Sequence, residues 1–220
     1  MQFFLKSRIN TVAIAVLAIA LSQFAYGQGG QSEAKGMPPR ATPNDYQAHA
    51  QAGTFTIAAE FQGHSVATPE SIFTNENFVT IEVGLFGPPQ ARLRLSFQDF
   101  SLRINGKKAV LPAQQFGLAF KALKDPAWIP PVPAGPKSKG GISAGGDNPD
   151  SNAPPPVVHV PIEVERAMEQ KVQKAALPEG ERQLPQAGLI FFEYGGKLSG
   201  IHSVELLYSG PAGKVVVPLQ

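Results

Sequence analysis

The chain has 220 residues, 43% of them hydrophobic with 14 Phe, no Cys, and a formal net charge of +2 at pH 7. Such a composition suits one buried core. It excludes disulfides, thiol chemistry and lipidation at an N-terminal Cys, and without a block of Lys and Arg it offers no electrostatic footprint for nucleic acid or anionic lipid.

Lys6 and Arg8 precede an apolar run from Val12 to Leu21, and Ala25-Tyr26-Gly27 supplies a small-x-small cleavage site. That order predicts an export signal over residues 1–27. The apolar run is roughly 12 to 15 residues, short of the ~20 that span a bilayer, so a membrane is expected as partner only through an uncleaved signal. Cleavage removes two of the 19 basic residues and none of the 17 acidic ones, which balances the charge. The expected location is a bacterial periplasm or the exterior. The lack of an Asn-x-Ser/Thr sequon agrees with this.

Residues 28–52 are rich in Gly, Gln, Ser, Ala and Pro without an apolar period, and predict a flexible tether. From Gly53 the domain 53–220 begins, with strand runs at Thr54 to Phe61, Phe78 to Phe86, Arg92 to Phe97, Phe100 to Ile104, Ala109 to Leu111 and Phe116 to Lys121. Val79, Ile81, Val83 and Leu85 alternate with Thr80, Glu82 and Gly84, the period of a half-buried strand with one wet face. Gly87-Pro88-Pro89-Gln90 is short enough to make a hairpin with the next run and to pair Glu82 with one of its arginines. Asn105-Gly106 is the dipeptide favoured in type I′ turns.

Residues 124–161 form a Pro/Gly-rich insertion that cannot be sheet interior. Pro161 then suits a first helical position, and Val164, Met168, Val172 and Ala175 recur along one face, predicting an amphipathic helix over 162–176. Acids lie early in it and lysines late, complementing the helix dipole. Three strand runs close the chain: Leu189 to Tyr194, Ser203 to Tyr208 and Lys214 to Leu219. Leu189-Ile190-Phe191-Phe192 is apolar on both faces, which suggests a central strand covered on both sides, with the helix as a candidate cover. About nine strands result.

The runs Phe78-Val79-Thr80-Ile81-Glu82-Val83, Asp99-Phe100-Ser101-Leu102-Arg103-Ile104-Asn105-Gly106-Lys107 and Gly188-Leu189-Ile190-Phe191-Phe192-Glu193-Tyr194 resemble the immunoglobulin-like β-sandwich of small bacterial exported proteins, including telokin-like accessory domains. The resemblance implies a mainly β immunoglobulin-like β-sandwich. It brings no catalytic set, and the insertion with its helix departs from a minimal sandwich.

No reaction motif stands out. His49, His64, His159 and His202 are scattered and make no metal-ligand spacing, and Asp147 to Asn152 lacks the order of a calcium loop. Neither Ser71 nor Ser143 sits in a Gly-x-Ser-x-Gly elbow, and no Gly-rich phosphate cradle follows a strand. No cofactor or metal is expected. Glu60, Glu82, Asp99, Glu193 and Glu205 lie on or beside strands, so a hydrolase would need a cleft joining two of Glu60, Asp99 and Glu193. Trp128, the only tryptophan, stands beside Ile129, Pro130, Pro131 and Pro133, where an indole next to stiff prolines can stack on a partner groove or a sugar. The expectation is a non-enzymatic exported envelope protein that binds another protein through these five residues. The alternatives are a carbohydrate-binding module that takes a glycan by stacking on Trp128 or Tyr46 and, third, the strand-carboxylate hydrolase.

Overall fold

The computed structural model describes residues 34–130 and 159–220. The expected export signal, Pro131, Pro133 and most of the insertion lie outside them. The described chain is mainly β, with thirteen strands in three sheets where about nine strands were expected. They are β1 Ala48–Ala52, β2 Phe55–Gly63, β3 Ser65–Ala67, β4 Ile72–Asn75, β5 Phe78–Phe86, β6 Arg92–Leu95, β7 Phe100–Ile104, β8 Leu111–Gln114, β9 Leu123–Lys124, β10 Gly180–Gln183, β11 Gln186–Glu193, β12 Val204–Gly210 and β13 Gly213–Pro218. Two α-helices, α1 Phe116–Ala119 and α2 Ile162–Ala175, complete the set. Among the described residues no helix is long and apolar enough to cross a membrane.

Eight strands form one antiparallel sheet in the order β1-β2-β5-β11-β8-β7-β12-β13, with β10-β6 and β3-β4-β9 as smaller sheets. The large sheet curls until β1 lies beside β13 without a ladder between them. Gln47 staples that seam: its side chain accepts from the Phe61 N–H and donates to the Leu219 carbonyl. Inside the curl lies the main core, to which the alternating strands contribute one face each: Ile57 and Ala59 of β2, Val79 to Leu85 of β5, Leu93 and Leu95 of β6, Leu102 of β7, Ile190 and Phe192 of β11, Leu206 of β12. Fully burying each Val, Leu, Ile or Phe among them stabilises the fold by about 1.5–3 kcal/mol.

A second apolar cluster lies on the outer face of the same sheet. There Phe78 of β5 and Leu189 and Phe191 of β11 meet Met168, Val172 and Ala175 of α2. The helix runs over the expected residues to within one position, with Pro161 as its N-cap rather than its first helical residue. The four residues Leu189-Ile190-Phe191-Phe192 are all at most 1% exposed, because the two clusters press on them from opposite sides. The central strand read from their composition is therefore present.

Four expectations need correction. Phe116 to Lys121 is no strand: α1 runs on into a 3-10 turn at Phe120–Ala122, and Phe116 and Phe120, one helical turn apart, place their rings 5.7 Å from each other. Gly87 to Gln90 does not close a hairpin, since β5 pairs with β2 and β11 while β6 pairs with β10. Asn105 and Gly106 adopt positive φ (55° and 61°) and make the tight turn, but β7 meets β8 only at Leu111 and Pro112. The Asn105 side chain is drawn away to the 200–203 loop, where it donates to the Gly200 carbonyl at 2.7 Å and accepts from the His202 and Ser203 amides.

The fourth correction concerns the tether. Residues 34–52 belong to the fold: Met37 N–H donates to the Ala187 carbonyl at 2.8 Å on the edge of β11, and β1 is a full partner of β2. Between these two anchors the chain crosses the outer face of β5 and β2. Composition pointed to a tether because this stretch has little apolar surface of its own. It is held instead by backbone hydrogen bonds and by one charged cluster.

Candidate functional site

Of the expected contact residues, Trp128, Ile129 and Pro130 sit just past the end of β9. Asp125 opens a turn there, its carboxylate accepting from the Ala127 amide at 2.8 Å and its carbonyl from the Trp128 amide at 3.1 Å. Trp128 is half-buried, whereas Ile129 is 83% exposed and Pro130 is exposed; Ile129 is the most exposed large hydrophobic side chain described. The turn follows directly on Leu123 and Lys124. Leu123 also lines a groove of about 130 Å³ between α2 and the segment after α1, with Phe120, Lys121, Glu165, Met168 and Glu169. That is below the ~300–1,000 Å³ of small-molecule pockets, and it is a depression suited to one side chain.

The carboxylates are arranged otherwise than a hydrolase requires. Glu60 and Glu82 face each other in the β2–β5 register, but Arg40 lies between them. Its guanidinium donates to both oxygens of Glu82, Nε to Oε1 at 3.2 Å and Nη2 to Oε2 at 2.8 Å, forms an ion pair with Glu60, and donates through Nη1 to the Asp45 carbonyl at 2.6 Å. Gln62 donates to the same Glu82 oxygen at 3.4 Å. Hydrogen bonding to Glu82 holds the Arg40 guanidinium above its ordinary value against the opposing effect of partial burial. The Tyr46 ring lies under the cation, 4.6 Å from ring centre to guanidinium carbon, and burial is the main cause of its raised pKa.

Glu193 stands opposite Phe78, four residues along β5 from Glu82, which at the strand rise is about 13 Å away. Asp99 lies elsewhere, against Tyr208 and Gly210. Burial pushes its carboxyl up, with Arg94 partly opposing. The Tyr208 hydroxyl accepts from the Ala212 amide at 3.3 Å, and burial raises its pKa also. Glu60, Asp99 and Glu193 thus do not share a cleft.

His64 ties turns together. Its Nδ1 lies 2.9 and 2.8 Å from the carbonyls of Asn75 and Phe78, its Nε2 lies 2.9 Å from that of Gly196, and its ring stacks near Tyr194. Among the described residues no group of three or more His, Asp or Glu side chains is placed to hold a metal ion.

Sequence reasoning missed the Arg40 cluster. No local signal marks it, because Glu82 alternates with apolar neighbours as a solvent-facing residue does. No protein-family model, no curated protein and no solved structure matches the chain.

Proposed function

We propose that the protein is a non-enzymatic, exported envelope protein with an immunoglobulin-like β-sandwich, and that it binds another protein through the turn carrying Trp128, Ile129 and Pro130. The observation that carries this reading is the presentation of Ile129, 83% exposed beside the only tryptophan, on a turn braced by Asp125. Exposing a large aliphatic side chain gains nothing for folding, and an aromatic neighbour with stiff prolines is the composition of a recognition surface. Leu123, two residues before the turn, also lines a small groove with Phe120 and Met168, whose exposed surface is mainly that of polar neighbours such as Glu165, Glu169 and Lys121.

Crosslinking of the tagged chain in its native envelope, followed by mass spectrometry, tests this. A specific protein recovered with the wild type should fall at least about tenfold with Trp128→Ala, the loss expected for a central aromatic contact. Equal capture by both would reject the turn as contact surface. The second reading, a glycan ligand, rests on the same indole, and binding of the folded protein on a glycan array would favour it.

A further inference from the structure

The outer face of β5 carries Glu82, whose side chain is only 6% exposed. A buried carboxylate needs hydrogen-bond donors and a compensating charge. Here the cation comes from a segment with few other holds. Between Ala34 and Arg40 two backbone hydrogen bonds reach the rest of the fold, Lys35 N–H to the Lys174 carbonyl at 3.2 Å and Met37 N–H to the Ala187 carbonyl at 2.8 Å, and Ala34 and Met37 pack only partly against the second cluster. The receiving side is built for a planar cation. Two carboxylates from paired strands flank it, Gln62 fixes one Glu82 oxygen, and the Tyr46 ring supplies a floor. Gly84 makes room for that floor, since a Cβ there would lie 2.5 Å from the Tyr46 ring and hydroxyl.

We propose that Glu60, Glu82, Gln62 and Tyr46 form a guanidinium-binding site and that Arg40 fills it as a latch, making residues 34–45 a strap that closes over the outer face of β5 and β2. The bidentate geometry to Glu82 selects a guanidinium over an ammonium ion, because only the planar fork meets both carboxylate oxygens at once while its carbon stays over the ring. The proposal concerns a surface separate from the Trp128 turn, and neither depends on the other.

Chemical rescue tests it in the full chain. Arg40→Ala should raise the hydrogen-exchange rate of the Met37 amide at least about tenfold, because the strap then opens without global unfolding. Millimolar guanidinium, far below denaturing concentrations, should restore most of the protection, while potassium chloride at equal ionic strength and methylammonium should not. The double variant Arg40→Ala/Glu82→Gln should not respond. Unchanged exchange in Arg40→Ala would overturn the latch. Lost protection that guanidinium cannot restore would overturn the binding site, because Arg40 would then act through its stem and backbone alone. Should Arg40→Ala fail to fold, the same series on Arg40→Lys decides: partial protection improved by guanidinium supports the site, and wild-type protection overturns the selection for a planar cation.

Discussion

The outer face of the central strands is covered in two different ways. Over Phe78, Leu189 and Phe191 lies an amphipathic helix that contributes Met168, Val172 and Ala175 in close apolar contact. Over Glu82 and Gly84 lie the guanidinium of the strap and the Tyr46 ring that floors its site. Thr80, fully buried, marks the boundary between the two covers. The helix half is stabilised by non-directional apolar burial, and its residues repeat with a legible period. The strap half is stabilised by a few directional contacts, among them the Arg40–Glu82 pair 42 positions apart in sequence, and no period announces them. A hydrophobic cover can be read from one segment alone. An ionic cover can be read only when both partners are known to meet.

Substitutions on the two halves should separate them. Phe191→Ala strikes the helix half at a residue 1% exposed and should cost roughly 3–5 kcal/mol, measured as a shift in the urea midpoint without strap-specific exchange. Arg40→Ala leaves the Glu82 carboxylate buried without its cation. Since Arg40 is itself about a third exposed, its global cost should be smaller, roughly 1–3 kcal/mol by the same measurement, with the exchange signature at Met37 described above. Gly84→Ala sharpens the comparison further. It adds a methyl group where the Tyr46 ring sits and should cost about 1–2 kcal/mol of overpacking. Loss of protection confined to residues 34–46 would confirm that Tyr46 and Arg40 seat together.

The smallest effect is expected away from both covers, at Asp99. Burial raises its carboxyl pKa in the folded state, so between the unfolded and folded values the native protein binds more protons than the unfolded chain. Stability conferred at low pH is then lost as pH rises through that window. Asp99→Asn should flatten this part of the stability–pH curve and leave the protein slightly more stable than wild type at neutral pH. A curve parallel to wild type would show that Asp99 contributes nothing to it.

How much was legible follows from the same contrast. The bounds of the strand over Phe78 to Phe86 were predicted to the residue, although both its faces are buried where one wet face was expected, and the helix was predicted to within one position, because each carries its own period. The strand assigned to Phe116 to Lys121 failed because an apolar run of that length fits a helical turn equally well, and contacts with Asn75 and α2 decided between them. Of the expected contact residues, Trp128, Ile129 and Pro130 lie in the turn after β9. The Arg40 site was invisible because Glu82 alternates with apolar neighbours as a solvent-facing residue does.

The sequence by itself determined a β-rich chain with one apolar central strand, one amphipathic helix and an unusual Trp/Pro segment, all of them properties of short windows in which side-chain period follows backbone geometry. Only the tertiary structure decided which strands pair, that residues 34–52 are part of the fold, and that Glu82 faces a guanidinium rather than water. Pairing and burial depend on partners distant in the chain, and a polar residue in a strand carries no local mark of whether its neighbour will be solvent or another charge.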